Sequence, residues 1–115
     1  MAKDYAALTR DISTYIGELR RAQPGPMQAF SELAKTASAD GALDKKTKEL
    51  IALAIGVTQR CDGCIGSHAK ALKDLGATRD EIAEVMAMSV YMGGGPALMY
   101  AADAMRAFDQ FGEAG

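Results

Sequence analysis

The sequence predicts an all-α fold, a single compact domain of about six helices, and three observations carry that prediction. The apolar content, 49% of 115 residues, comes mainly from Ala, Leu, Ile, Val and seven Met, with aromatics at 6% and no Trp. That palette favours helix over strand. Apolar residues recur three and four apart along much of the chain, which is the period of one helix face. Residues that start and stop helices punctuate the pattern at regular intervals. A chain of 115 residues fits one domain.

Tyr5, Leu8, Ile12, Tyr15, Ile16 and Leu19 stand at helical spacing and predict a first helix over about 4–21. Gln23-Pro24-Gly25-Pro26 ends it, because proline disfavours helix in the residue before it. Pro26 can open a second helix with Met27, Phe30, Leu33, Ala34 and Ala37 on one face, and Asp40-Gly41 breaks it. Asp44 is a natural N-cap for a third helix, whose Leu50, Ile51, Leu53, Ala54, Ile55 and Val57 cover most of its circumference. An apolar surface that wide predicts burial.

A fourth helix is expected from near Cys61 to Gly76, glycine being suited to a left-handed closing residue. Thr78 and Glu81, three apart, match a capping box for a fifth helix carrying Ile82, Val85, Met86, Ser89 and Met92. Gly93-Gly94-Gly95 interrupts it, since glycine holds helix poorly, and Pro96 restarts a sixth. Leu98, Met99, Ala102, Met105, Phe108 and Phe111 are expected to face inward until Gly112. The methionines at 86, 88, 92, 99 and 105 read as filling for the core or for subunit contacts, and Tyr91 and Tyr100 as packing residues.

Thirteen Lys and Arg against fifteen Asp and Glu give a net charge of −2, with neither sign gathered into a long run. That pattern points away from nucleic acid and from a membrane surface as partners. The first residues reach Asp4 before any apolar stretch, so a signal-peptide core is not expected, and no later segment is apolar enough to span a bilayer. A cytoplasmic location follows as the expectation. There thiols are kept reduced, so two cysteines are not expected to serve as a permanent staple, and their spacing becomes informative.

Cys61, Cys64 and His68 fall at i, i+3 and i+7 of the fourth helix, which puts the three side chains along one stripe. A helix N-terminus and a neighbouring imidazole both lower the cost of forming a thiolate. Arg60 acts in the same direction and Asp62 against it. A second thiol one turn away can capture a sulfenic acid as a disulfide before it oxidises further. If the third and fourth helices form an antiparallel hairpin turning near Arg60, Glu49 lies ~16 Å back from the turn, His68 ~12 Å beyond it and Cys64 ~6 Å beyond it. Glu49 is then nearest the level of His68, which predicts a chain in which Glu49 orients His68 and His68 takes the proton of Cys64.

Blander readings stand beside this one. The two cysteines can be small buried hydrophobes, and Glu49, set among Lys45, Lys46 and Lys48, can belong to a solvated face. Cys61, Cys64, His68 and Glu49 can also be counted as four zinc ligands, but three on one helix make a poor closed cage. The glycine triplet can offer backbone N–H groups to an anion, although a tight connection explains it as well. No metal, flavin, nicotinamide or nucleotide motif is expected on the chain.

Glu49, the Cys61/Cys64 pair, His68 and the following Met92-Gly93-Gly94-Gly95-Pro96 region resemble the carboxymuconolactone decarboxylase superfamily, in particular its alkylhydroperoxidase D-like branch. The resemblance covers about residues 26–111. It implies an all-helical fold, assembly into homotrimers or homohexamers, and reduction of a small hydroperoxide by the cysteine pair. Carried over residue by residue, Cys64 corresponds to the attacking thiol, Cys61 to the resolving thiol, and Glu49 and His68 to the proton relay. The implied partner is an external dithiol reductant, lipoyl-bearing or thioredoxin-like.

Two departures go with the resemblance. Gly63 stands where the better-studied members carry a second histidine, and those members are longer, with two related halves. Two other readings follow from the same superfamily: a lyase that acts on a small carboxylic acid through His68 and Glu49, and a non-catalytic, redox-responsive oligomeric module.

Overall fold

The computed structural model describes residues 2–114. It contains six helices: α1 (Tyr5–Ala22), α2 (Pro24–Ser38), α3 (Lys45–Thr58), α4 (Asp62–Asp74), α5 (Arg79–Gly93) and α6 (Gly95–Ala114). No strand occurs among the described residues. Short polar side chains start three of the helices, α1, α3 and α5. The Asp4 carboxylate accepts from the Ala7 amide and that of Asp44 from the Thr47 amide. Thr78 and Glu81 form the complete capping box.

Three boundaries differ from the sequence reading. Pro24, rather than Pro26, opens α2, because a first-turn residue needs no amide N–H. Only Gly94 of the glycine triplet leaves the helix, at φ 75°, while Gly93 ends α5 and Gly95 begins α6. Gly93 is there for space as well: a Cβ would come within 2.6 Å of Ala97 Cβ and 3.2 Å of Thr58 Cγ2. Helix α6 runs through Gly112 to Ala114.

The core gathers Tyr5, Leu53, Val57, Ile65, Ala69, Leu72, Ile82, Met86 and Phe108. The inward stripe of α6 is Ala97, Ala101, Ala104, Ala107 and Phe108, not the expected Leu98, Met99 and Ala102, which are exposed. Small alanines let α6 lie close against its neighbours, whereas the larger residues point outward. Helix α3 is likewise buried on one side only, with Leu53, Gly56 and Val57 inside and Ile51 and Ile55 half exposed. Tyr91, Met88, Met92 and Met99 are also outside.

The first two helices form an arm. Helix α2 has no buried residue and α1 buries only Tyr5. Tyr15, Phe30 and Leu33 are each more than 60% exposed, at 68%, 66% and 61%. The apolar face of the arm is therefore real, but it finds little within the same chain to cover it.

Helix α3 closes on Arg60, which adopts φ 57°. The Arg60 amide donates to Val57 O and the Cys61 amide to Gly56 O, the paired bonds of a Schellman turn. Gly76 closes α4 in the same way, its amide bonding Lys73 O and that of Ala77 bonding Leu72 O. An arginine in the left-handed region crowds its Cβ where glycine would not. Arg60→Gly is expected to stabilise the fold by about 0.5–1 kcal/mol, raising the midpoint of thermal unfolding; an unchanged or lowered midpoint would contradict it.

Candidate functional site

The Arg60 turn delivers the chain directly into the cysteine pair. Cys61 is the N-cap of α4, with φ −109° and ψ 97°, and its sulfur accepts the Cys64 amide at 3.2 Å. Cys61 and Cys64 are joined as a disulfide, with Cα atoms 5.2 Å apart. The sulfurs thus stand over the N-terminus of α4, where unpaired amides and the helix dipole favour negative charge. Helix α3 approaches closely at this level, since a Cβ on Gly56 would lie 3.0 Å from Cys64 Cβ.

Further along the same pair of helices, Glu49 on α3 meets His68 on α4. The His68 Nδ1 nitrogen donates to Glu49 Oε2 at 2.5 Å. Glu49 is buried and His68 half-buried. An ionised carboxylate can only accept, so Nδ1 carries the proton in this bond, which leaves Nε2 as the ring nitrogen that does not face Glu49. The register predicted from helical rise thus brings these two residues together. Among the described residues, the hydrogen bond of His68 is to Glu49 and not to either sulfur.

Glu49 and His68 border a cleft of about 280 Å³ whose other walls include Ala34, Ala37 and Ser38 of α2 and Lys48 and Ala52 of α3. The wall is thus partly built by the arm. A larger cleft, about 360 Å³, lies at the α1–α2 junction beside Arg20, Pro24 and Met27, away from the cysteines.

The partners of Asp62 were missed in the sequence. Asp62, between the cysteines, accepts the Tyr5 hydroxyl at 2.8 Å and the Lys3 ammonium at 3.0 Å. Lys3 also donates to Asp103 at 2.8 Å. Burial works to raise the Asp62 carboxyl, but the Lys3 and Tyr5 hydrogen bonds outweigh it and hold it below the usual carboxylate range. Burial first, then the bond to Asp62, pushes the Tyr5 phenol well above its usual range, so it stays a donor. The pattern of apolar spacing reports Tyr5 only as a core residue. Nothing local in the sequence pairs it with Asp62, 57 positions away.

The fold and site define an all-helical domain with a disulfide-bonded Cys-x-x-Cys at the start of α4 and, between α3 and α4, a buried glutamate bonded to a half-buried histidine. The family model for carboxymuconolactone decarboxylase matches residues 24–107, and the chain belongs to that family. A carboxymuconolactone decarboxylase family protein from Legionella pneumophila is similar at 53% identity and a TM-score of 0.91, covering 93% of this chain and 96% of that one. A family member from Thermotoga maritima, for which involvement in an antioxidative response has been suggested, superposes with a TM-score of 0.82 at 26% identity, covering 91% and 90%. A shorter stretch, 33% identical over 52 residues, is shared with alkyl hydroperoxide reductase AhpD of Mycobacteroides abscessus, covering 45% of this chain and 30% of that protein. These likenesses support the alkylhydroperoxidase D-like branch.

Proposed function

We propose that the chain is a thiol-dependent peroxidase that reduces small hydroperoxides through Cys61 and Cys64. The observation that carries this reading is the cysteine pair at the start of α4, bonded to each other one turn before a histidine that a buried glutamate holds by its Nδ1 proton. The antioxidative response suggested for the Thermotoga protein and the stretch shared with AhpD support it.

In the proposed cycle His68, oriented by Glu49, accepts the proton of Cys64. The Cys64 thiolate attacks the outer peroxide oxygen; the O–O bond breaks, the alcohol leaves with the proton, and Cys64 becomes a sulfenic acid. The Cys61 thiolate, favoured by the Cys64 amide and the helix start, then attacks the Cys64 sulfur. Hydroxide leaves and is protonated to water, and the disulfide forms. An external dithiol, lipoyl-bearing or thioredoxin-like, returns two electrons and two protons by exchange and is itself oxidised to a disulfide.

The same proposal includes self-association. The outward Tyr15, Phe30 and Leu33 of the arm favour covering by further copies of the chain, as a homotrimer or homohexamer. The test of the function is consumption of an organic hydroperoxide by the reduced protein with dithiothreitol in excess. Turnover of many equivalents per chain is expected. No consumption, with both thiols shown free at the start, would sink the peroxidase reading.

A further inference from the structure

We propose that Lys3 and Tyr5 are positioning residues that set the acidity and reduction potential of the cysteine pair by clamping and neutralising Asp62. The proposal rests on thiol–disulfide chemistry at Cys61 and Cys64, and it adds positioning residues drawn from a segment 57 positions earlier in the chain.

A carboxylate between two redox cysteines is a liability. A thiolate on Cys61 or Cys64 forms within the same first turn of α4 as this carboxylate, whose negative charge raises the cost of ionisation. The structure answers that charge specifically. Lys3 Nζ and Tyr5 Oη both donate to the same oxygen, Asp62 Oδ1, at 3.0 and 2.8 Å. Tyr5 is fully buried, so its hydroxyl has a fixed origin.

The segment that carries these donors is itself pinned. The Tyr5 amide donates to Gln110 Oε1 and Gln110 Nε2 donates back to Lys3 O, both at 2.8 Å. Lys3 is held from a second side by Asp103 Oδ2 at 2.8 Å, and its ammonium lies 4.9 Å from the centre of the Tyr100 ring. Asp103 in turn has Arg106 at 3.7 Å. Helix α6 therefore fixes residues 3–5, and residues 3–5 fix the carboxylate between the cysteines. The remaining charged groups bordering the pair in sequence or structure are Arg60 on the turn before it and the Glu49–His68 pair beyond it.

Removing the Lys3 charge leaves Asp62 less compensated, so the thiol pKa rises. At neutral pH the thiolate fraction falls, and alkylation of the reduced protein by iodoacetamide should slow about two- to threefold in Lys3→Met. Because the reduced form loses thiolate stabilisation, exchange with dithiothreitol should shift toward the protein disulfide, which means a lower reduction potential. Asp62→Asn should shift both readouts the opposite way. In the Asp62→Asn background Lys3→Met should add little, since the charge it answers is gone.

The experiment is the pH profile of thiol alkylation, together with the dithiothreitol equilibrium, for wild type, Lys3→Met, Tyr5→Phe, Asp62→Asn and the Lys3→Met/Asp62→Asn double variant. Lys3 is partly exposed, so Lys3→Met is expected to fold even if Tyr5→Phe does not. Thiol profiles and equilibria in Lys3→Met equal to wild type would overturn the proposal, as would equal shifts with and without Asp62. A variant that lowers the melting temperature but leaves the thiols unmoved is a structural prop and also overturns it. The alkylation profile needs no peroxide, so a protein without peroxidase turnover but with a shifted Lys3→Met profile loses the peroxidase reading and keeps the clamp.

Discussion

Cys64→Ser is expected to reduce hydroperoxide consumption to the uncatalysed background, whereas Cys61→Ser keeps one turnover and then stops. The asymmetry follows from the proposed roles. A serine hydroxyl at 64 supplies no thiolate for the peroxide oxygen. With Cys61 replaced, Cys64 still becomes a sulfenic acid but has no thiol one turn away to condense with, so multiple turnover with a dithiol falls sharply and overoxidation becomes the competing fate. Stopped assays with substoichiometric peroxide, and mass measurement of the oxidised protein, separate the two variants.

The opposite pattern has a physical basis too. Cys61 is the sulfur that accepts the Cys64 amide at the helix start. If the single turnover survives in Cys64→Ser and is lost in Cys61→Ser, the helix terminus rather than His68 selects the nucleophile, and the two roles exchange. Turnover surviving in both variants would remove the cysteines from the reaction and favour acid–base chemistry of the lyase kind at Glu49 and His68.

The second large effect is expected at His68. His68→Ala should lower turnover by about 10²–10⁴, and Glu49→Gln by less, because the amide oxygen of Gln can still accept the Nδ1 proton and hold the ring. If the two act as one relay, the double variant should be little worse than His68→Ala alone. The stability effects run separately. His68→Ala leaves the buried Glu49 carboxylate without its partner at 2.5 Å, at a cost of about 1–3 kcal/mol. Urea unfolding of each variant measures that cost, and additive losses in turnover would contradict a shared relay.

Much of the fold was legible because it is local. Capping at Asp44 and Thr78 and closure at Gly76 depend on residues within a turn of one another, so spacing alone located them. The Glu49–His68 pair was legible for a related reason. Two helices joined by a short turn have a register set by helical rise, and counting residues back and forward from Arg60 puts the two side chains together.

What failed was the assignment of faces. Periodicity marks an apolar stripe but not what covers it. In α6 the stripe chosen by size, Leu98 and Met99, is outside, and the one chosen by close packing, Ala97, Ala101 and Ala104, is inside. The same holds for Ile51 and Ile55 on α3 and for the whole arm.

Six helices, the caps at Asp44 and Thr78, the closure at Gly76, the cysteine pair at a helix start, and a histidine and a glutamate at levels where they can meet were all readable from the residues in order. Those features depend on backbone sterics and on short-range spacing, which are written along the chain. Long-range packing settled the rest: Lys3 and Tyr5 answer the charge of Asp62, Gln110 pins them there, and α2 buries none of its residues. Partners separated by 57 and 107 positions meet only once α1, α4 and α6 have packed, because no local preference of either residue encodes the other.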